Sequence, residues 1–248
     1  MTKEAKKDIA RLKRGEPVDY VIGWVDFLGC KIDLSMRPFI PRPETEYWVG
    51  KAIEDVKEKE GKRAIHCLDV FAGSGCIGIA LLSRLPNAVV DFVEKEKAPL
   101  KQIAINTAMN NVDPLRYRII SEPQSGGETN LFIRSDMVSS LKKGERYDYI
   151  FANPPYIALT RKGKVQKSVL AWEPHAALFG KDDGLYFIEL LLKEAKNHLT
   201  KEGTMYIEFD SPQKPAFSEL LSRYGYANVR FFKDQYGKWR WVEISNKR

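Results

Sequence analysis

Asn153-Pro154-Pro155-Tyr156 is the string whose residue types point most directly to chemistry. It sets a planar amide, two rigid prolines and an aromatic ring side by side. The amide oxygen of Asn153 and the backbone carbonyl of Pro154 are two acceptors, and together they can hold one planar NH2 group. Proline fixes its own φ and restricts the residue before it, so both acceptors are held stiffly. Tyr156 offers a face on which a planar group can stack. Such a string is suited to presenting an amide or amino nitrogen to an electrophile. Taken alone it is equally a proline-rich turn leaving a strand. Its surroundings decide between the two.

Residues 147–152 read as a short buried strand, which puts the string at the carboxyl edge of a sheet. Open α/β sheets hold their ligands there. The rest of the chain supplies such a sheet. Strands are expected at 65–71, 88–93, 116–121, 147–152 and 204–209, and helices at 76–85, 99–110, 183–199 and 215–224. Two closing strands, within 227–232 and 238–245, have no helix between them, so one should run antiparallel. The alternation predicts an α/β fold with a doubly wound, mostly parallel, seven-stranded sheet. Upstream, residues 1–14 form a short basic helix. Residues 18–36 alternate as a β-hairpin, with Tyr20, Ile22 and Trp24 on one strand, Ile32, Leu34 and Met36 on the other, and Gly29 near the turn. Ile40-Pro41-Arg42-Pro43-Glu44-Thr45-Glu46 is a stiff linker whose Pro43 opens a helix ending near Gly61. Residues 1–46 thus precede a main domain over 47–248. A polar loop is expected at 122–130, and a further short strand at 131–135.

A second constellation lies one strand away. Leu68-Asp69-Val70-Phe71-Ala72-Gly73-Ser74-Gly75-Cys76-Ile77-Gly78 reads as a strand, a glycine turn and a helix start. Glycines let the backbone approach a ligand, and a helix N-terminus offers unpaired N–H donors. Glu94 ends the next strand, 19 residues after Gly75, where a carboxylate can grip two ribose hydroxyls. The string also fits Gly-x-Gly-x-x-Gly, so a nicotinamide cofactor is an alternative, but a lone match is weak. Two features favour S-adenosylmethionine (SAM). Asp69 precedes the first glycine by four residues, where it can organise the loop around an amino-acid tail. The Asn153 string has no use in hydride transfer, whereas a methyl sulfonium needs a nitrogen aimed at it. Asp136 can accept from an adenine amino group and Met137 can cover the ring; by themselves they are also an ordinary loop aspartate and core methionine. Asn106, within a helix, reads as structural.

Composition narrows the classes. The 248 residues are 44% hydrophobic and 29% charged, as in ordinary globular domains. No apolar run approaches the roughly 18 residues of a membrane span, and no apolar segment follows the N-terminus as in a signal peptide. Cys30, Cys67 and Cys76 have no paired spacing, which suits a reducing cytoplasm and argues against a disulfide framework or a zinc site. His66, His175 and His198 are too scattered for a metal cluster, so no metal is expected. The net charge is +7, of which residues 1–14 carry +4. A partner with negative charge suits that balance, although a solvated basic helix explains it equally.

Together these residues resemble the HemK/PrmC family of protein-(glutamine) N5-methyltransferases, which act on peptide-chain release factors. The likeness runs from about Arg14 to the C-terminus. It is carried by Arg14-Gly15-Glu16-Pro17-Val18-x-Tyr20, Phe39-Ile40-Pro41-Arg42-Pro43-Glu44-Thr45-Glu46, the 69–75 loop, Ser135-Asp136, Asn153-Pro154-Pro155-Tyr156, Trp172-Glu173-Pro174, and Gly180-x-Asp182-Asp183-Gly184-Leu185. The linker string is the most specific of these, because Asn-Pro-Pro-Tyr also occurs in enzymes that methylate DNA adenine. The resemblance implies a class I SAM-dependent methyltransferase fold. It implies SAM contacts from Phe71, Ala72, Gly73, Ser74, Gly75, Glu94, Met137 and Asn153. Asn153, Pro154, Pro155 and Tyr156 would hold a release factor's Gly-Gly-Gln glutamine, with Arg42 and Thr45 at the pocket mouth. The expected partner is a release factor, at or near the ribosome, for a monomeric cytoplasmic enzyme. The chain departs from the family in having Phe71 and Ala72 where small residues are usual. Only 19 residues precede Tyr20, too few for the family's separate N-terminal helical bundle. Two other readings remain open. One is an adenine-amino methyltransferase on DNA or RNA, with Arg161, Lys162, Lys164 and Lys167 on phosphates. The other is a non-catalytic binding module with the same fold.

Overall fold

A computed structural model describes residues 1–121, 141–142 and 144–246. The expected loop at 122–130, the strand at 131–135, Asp136 and Met137 lie outside the described residues. Helix α1 (Lys3–Lys13) is capped by the Thr2 hydroxyl and buries no side chain. The next element differs from expectation. Val18–Ile22 is a short helix, α2, rather than part of a hairpin strand. Pro17 precedes it, Arg11 donates to the Tyr20 and Val21 carbonyls that would otherwise enter a ladder, and Gly23 stops it in the left-handed region at φ 90°. Tyr20 is buried with its hydroxyl on the Pro38 carbonyl, while Ile22 faces solvent. The alternation of Tyr20, Ile22 and Trp24 therefore mimics a strand across a helical turn. The hairpin itself is shorter, β1 (Trp24–Phe27) against β2 (Cys30–Asp33). Leu34 and Met36 fall beyond it.

The remaining elements follow the expected order. Helix α3 (Pro43–Glu60) turns Trp48, Val49, Ala52, Ile53 and Val56 inward. Then come β3 (Ile65–Val70), α4 (Cys76–Arg84), β4 (Ala88–Val93), α5 (Lys97–Met109), β5 (Tyr117–Ile120) and β6 (Tyr147–Ala152). A six-residue helix, α6 (Lys167–Trp172), was not foreseen. Helix α7 (Tyr186–Ala195) is shorter than the expected 183–199, because Leu199 already belongs to β7 (Leu199–Glu208). The chain closes with α8 (Lys214–Arg223), β8 (Asn228–Lys233) and β9 (Trp239–Ser245).

The seven strands β3 to β9 form one sheet in the order β5-β4-β3-β6-β7-β9-β8. All neighbours are parallel except β9, which is antiparallel to both β7 and β8. Two apolar layers cover it. One joins α3, α4, Ile103 of α5 and the hairpin residues Phe27 and Ile32. The other joins α7 and α8, with Leu191, Leu192 and Phe217 at its centre. Helices on both faces explain why the central strands read as continuous apolar runs. Among the described residues, no helix is long and apolar enough to cross a membrane.

Candidate active site

Strand order reverses between β3 and β6, which are hydrogen-bonded neighbours. Their last residues, Val70 and Ala152, are partners in register. Phe71 and Asn153 therefore leave the sheet side by side at the crevice where open α/β sheets take ligands. The two constellations read from the sequence share one edge.

The glycine loop is braced from below. Gly73 N–H donates to Glu94 Oε2 at 2.9 Å, while Glu94 Oε1 takes the N–H groups of Lys95 and Glu96 at 2.7 and 2.9 Å. Burial raises the Glu94 pKa against these three donors. Its four lone-pair directions are thus not all filled. Gly75 caps α4, and Asp69 Oδ2 accepts from Gly78 N–H at 2.9 Å. A Cβ on Gly78 would sit 2.7 Å from Phe92 Cζ, so this third glycine serves helix-to-strand packing. Asp69 is 0% exposed, and its Oδ1 has no hydrogen-bond partner. Burial pushes its carboxyl up to about 7, with the Gly78 N–H opposing and the Glu94 charge adding to the rise. An orphaned carboxylate oxygen beneath a glycine turn is the kind of group that a cationic amino-acid tail would satisfy. The site therefore fits SAM. Phe71 reaches φ 62°, unusual for a residue with a side chain, and its ring packs edge-on against Phe187.

Asn106 belongs to this brace. Its Nδ2 donates to the Ser74 carbonyl at 2.9 Å and its Oδ1 accepts from Asp33 N–H at 2.8 Å. The reading of Asn106 as structural holds, and it ties the hairpin to the loop.

The Asn153 string is fixed by a buried carboxylate. Asn153 Nδ2 lies 3.3 Å from Thr45 Oγ1, and Thr45 Oγ1 donates to Glu208 Oε2 at 2.7 Å. Trp48 Nε1 donates to the same oxygen at 2.6 Å, and the Tyr156 hydroxyl to Glu208 Oε1 at 2.8 Å. Gln213 Nε2 holds the Tyr156 carbonyl at 2.9 Å. Tyr156 is therefore pinned at both ends and half-buried. Pro154 and Pro155 are buried, and among the described residues nothing donates to the Pro154 carbonyl. Thr45 is 2% exposed and lies under Asn153, not at a mouth. Arg42 is ion-paired to the buried Glu173, which also accepts from Ile40 N–H at 3.2 Å, so it pins the linker to the segment after the motif.

Comparison with known proteins gives the family. The chain is 30% identical over 238 residues to the release factor glutamine methyltransferase of Flavobacterium psychrophilum, covering 96% of this chain and 78% of that protein. It is 32% identical over 238 residues to the protein of the same name from Bacteroides thetaiotaomicron, covering 95% and 78%. The chain belongs to the release factor glutamine methyltransferase family. Residues 41–219 also match the family model described as conserved hypothetical protein 95. Among solved structures, a methyltransferase from Pyrococcus furiosus aligns with a TM-score of 0.60 at 17% identity, over 98% of this chain and 99% of that one. The N-terminal domain of human METTL16 in complex with SAH aligns with a TM-score of 0.60 at 18% identity, over 89% and 77%. These likenesses establish the class I methyltransferase fold.

For this member of the release factor glutamine methyltransferase family, three anchors escaped the sequence reading. Glu208 stands in Met205-Tyr206-Ile207-Glu208-Phe209, where a lone carboxylate in an apolar strand was a usable signal. Gln213 carried none. Gly184, within Gly180-x-Asp182-Asp183-Gly184-Leu185, is the third. Its φ is 80°, and a Cβ there would meet Gln213 Nε2 at 2.5 Å and the Tyr156 carbonyl closer still.

Proposed function

We propose that this chain transfers a methyl group from SAM to the side-chain amide nitrogen of the glutamine in a release factor's Gly-Gly-Gln loop. The observation that carries the reading is the Asn153 amide. It sits beside the glycine loop with its NH2 tied to Thr45 and no donor on its oxygen among the described residues. The names of the family's members support the release factor as substrate, and the SAH in the human METTL16 domain supports the cofactor class.

Asp69, the 71–75 turn and Glu94 would hold the cofactor, which supplies an electrophilic sulfonium methyl when bound. The rest is the work of this chain's residues. An amide nitrogen is a poor nucleophile because its lone pair is delocalised. Asn153 Oδ1 and the Pro154 carbonyl accept the two N–H groups of the substrate amide, which fixes the nitrogen and favours its pyramidalisation. The same acceptors stabilise positive charge developing on that nitrogen without reorganising. Holding the reacting atoms in line supplies the proximity effect. The alkylated amide is acidic enough to lose its proton to water, so no histidine base is assigned. The enzyme acts as a cytoplasmic monomer.

Asp69 gives a pH prediction. A raised folded pKa means that the folded state holds this proton more tightly than the unfolded chain. Its contribution to stability is therefore full below the ordinary carboxylate range and is lost as pH rises from about 4 to about 7. A cationic cofactor tail favours the ionised form, so binding should release a proton below pH 7. SAM affinity should rise between about pH 5.5 and 7.5, approaching tenfold per unit at the acid end. Calorimetry in two buffers of different ionisation enthalpy reads the released proton, and Asp69→Asn should abolish it. A flat affinity profile for the unmodified protein would remove Asp69 from the cofactor site.

The direct test of function is transfer from labelled SAM to a release factor, with duplex DNA and a structured RNA as alternatives. Label on the release-factor glutamine is the expected result. Label on adenine instead would replace this reading with the amino-methylating one.

A further inference from the structure

We propose that Glu208 is a positioning residue that fixes which way round the Asn153 amide faces, making the pocket selective for a nitrogen that carries hydrogens. The inference rests on the reading of Asn153 as the group that holds the substrate amide.

Glu208 ends β7 and is 1% exposed. Burial raises its pKa, and the compensation comes from the Trp48, Thr45 and Tyr156 donors and the nearby Arg240 charge, with no ion pair to it among the described residues. A carboxylate so deep is costly unless its oxygens are hydrogen-bonded. Two of those donors, Thr45 and Trp48, come from the first two turns of α3, and the third, Tyr156, comes from the string itself.

The consequence runs through one proton. A threonine hydroxyl has a single hydrogen and two acceptor lone pairs. Thr45 gives that hydrogen to Glu208 Oε2, so toward Asn153 it can only accept. The Asn153 NH2 must therefore face Thr45. The flipped amide would set two oxygens against each other with no proton between them. Amide orientation is decided by such networks. Because oxygen and nitrogen are opposite arms of one planar group, fixing the NH2 on Thr45 turns Oδ1 to the other side. With the Pro154 carbonyl, the result is a face of acceptors only. Such a face takes the NH2 of glutamine and opposes the carboxylate of glutamate, which offers no hydrogen. Discrimination by unpaired buried polar groups is the strong kind.

The experiment compares Thr45→Val and Thr45→Ser with the unmodified protein in single-turnover transfer to a release factor at saturating SAM. Valine keeps the shape of threonine and removes the hydroxyl; serine keeps the hydroxyl and removes a methyl. Thr45→Val should lower the rate by roughly 30-fold or more, with SAM affinity within about threefold, while Thr45→Ser should stay within about fivefold of the starting rate. Glu208→Gln keeps an acceptor toward Thr45, because the Trp48 Nε1–H on the same oxygen can only donate and the new NH2 must turn to the Tyr156 hydroxyl, so it should resemble the serine variant. The second readout is selectivity. The ratio of inhibition constants for Gly-Gly-Gln and Gly-Gly-Glu peptides should narrow about tenfold or more in Thr45→Val and hold in Thr45→Ser. A purely structural Thr45 would lose rate in both variants and leave the ratio alone, which overturns the inference. Equal rates for valine and serine also overturn it. If the unmodified protein places no label on the release factor, the functional reading itself fails and this inference falls with it.

Discussion

Asn153→Ala is expected to lower methyl transfer to a release-factor glutamine by on the order of 100-fold or more, the scale on which one preorganised transition-state hydrogen bond acts. The substitution removes an acceptor for the substrate NH2 and leaves the glycine loop, Glu94 and Asp69 as they are. SAM affinity should change far less. Asn153→Asp is the sharper probe. It keeps an acceptor, but it sets a carboxylate oxygen against Thr45 Oγ1, whose hydrogen is committed to Glu208. Both variants are therefore expected to be inactive, the aspartate one despite its extra oxygen. Single-turnover rates at saturating SAM separate this from a binding defect. A fully active Asn153→Ala enzyme would remove the central claim about the motif.

The second large effect lies outside the motif. Gly184→Ala places a methyl group against the Tyr156 carbonyl and Gln213 Nε2, at a φ of 80° that suits glycine. Backbone strain of about 1–3 kcal/mol and overpacking of similar size should act together. A loss of about 2–4 kcal/mol is expected, which for a domain of this size lowers Tm by roughly 5–15 °C. Below that temperature, transfer should still fall by more than about tenfold, because the displaced Tyr156 backbone carries the Pro154 carbonyl with it. Gly163→Ala is the control. That residue lies in the same excursion between β6 and α7, with nothing within 4 Å of its added Cβ, and should change neither quantity measurably. Equal melting shifts for the two variants would show that crowding at Tyr156 is not the cause.

The sheet was legible because its signals are local. Strand–helix alternation depends on periods of two and 3.6 residues, and β4 and β6 fall on the expected residues. That one of the two closing strands is antiparallel followed from a missing helix, and the structure makes it β9. The hairpin start was misread because Tyr20, Ile22 and Trp24 alternate while Arg11 and Gly23 make the intervening backbone helical. Such a side chain to backbone capture leaves no periodic trace. The Asn153 string and the glycine loop were visible as motifs, and Thr45 was singled out. Its partner was not. The bond between Thr45 and Glu208 joins residues 163 apart, and no local pattern reports a contact of that separation. Gly184 shows the same limit: its spacing was seen, whereas the Tyr156 carbonyl that demands it becomes visible only in three dimensions.

That separation also orders events during synthesis. The ribosome emits the glycine loop and the Asn153 string well before Glu208, so a nascent chain can carry both motifs while Thr45 has no carboxylate to meet. The last strand in the sequence, β9, inserts between β7 and β8, so β7 gains its second neighbour only after most of the polypeptide has emerged. Contacts this distant along the chain close late and slowly. Catalytic competence in this molecule is therefore a property of the finished polypeptide, and a translation product stalled before residue 208 holds the glycine loop but leaves the Asn153 amide unanchored.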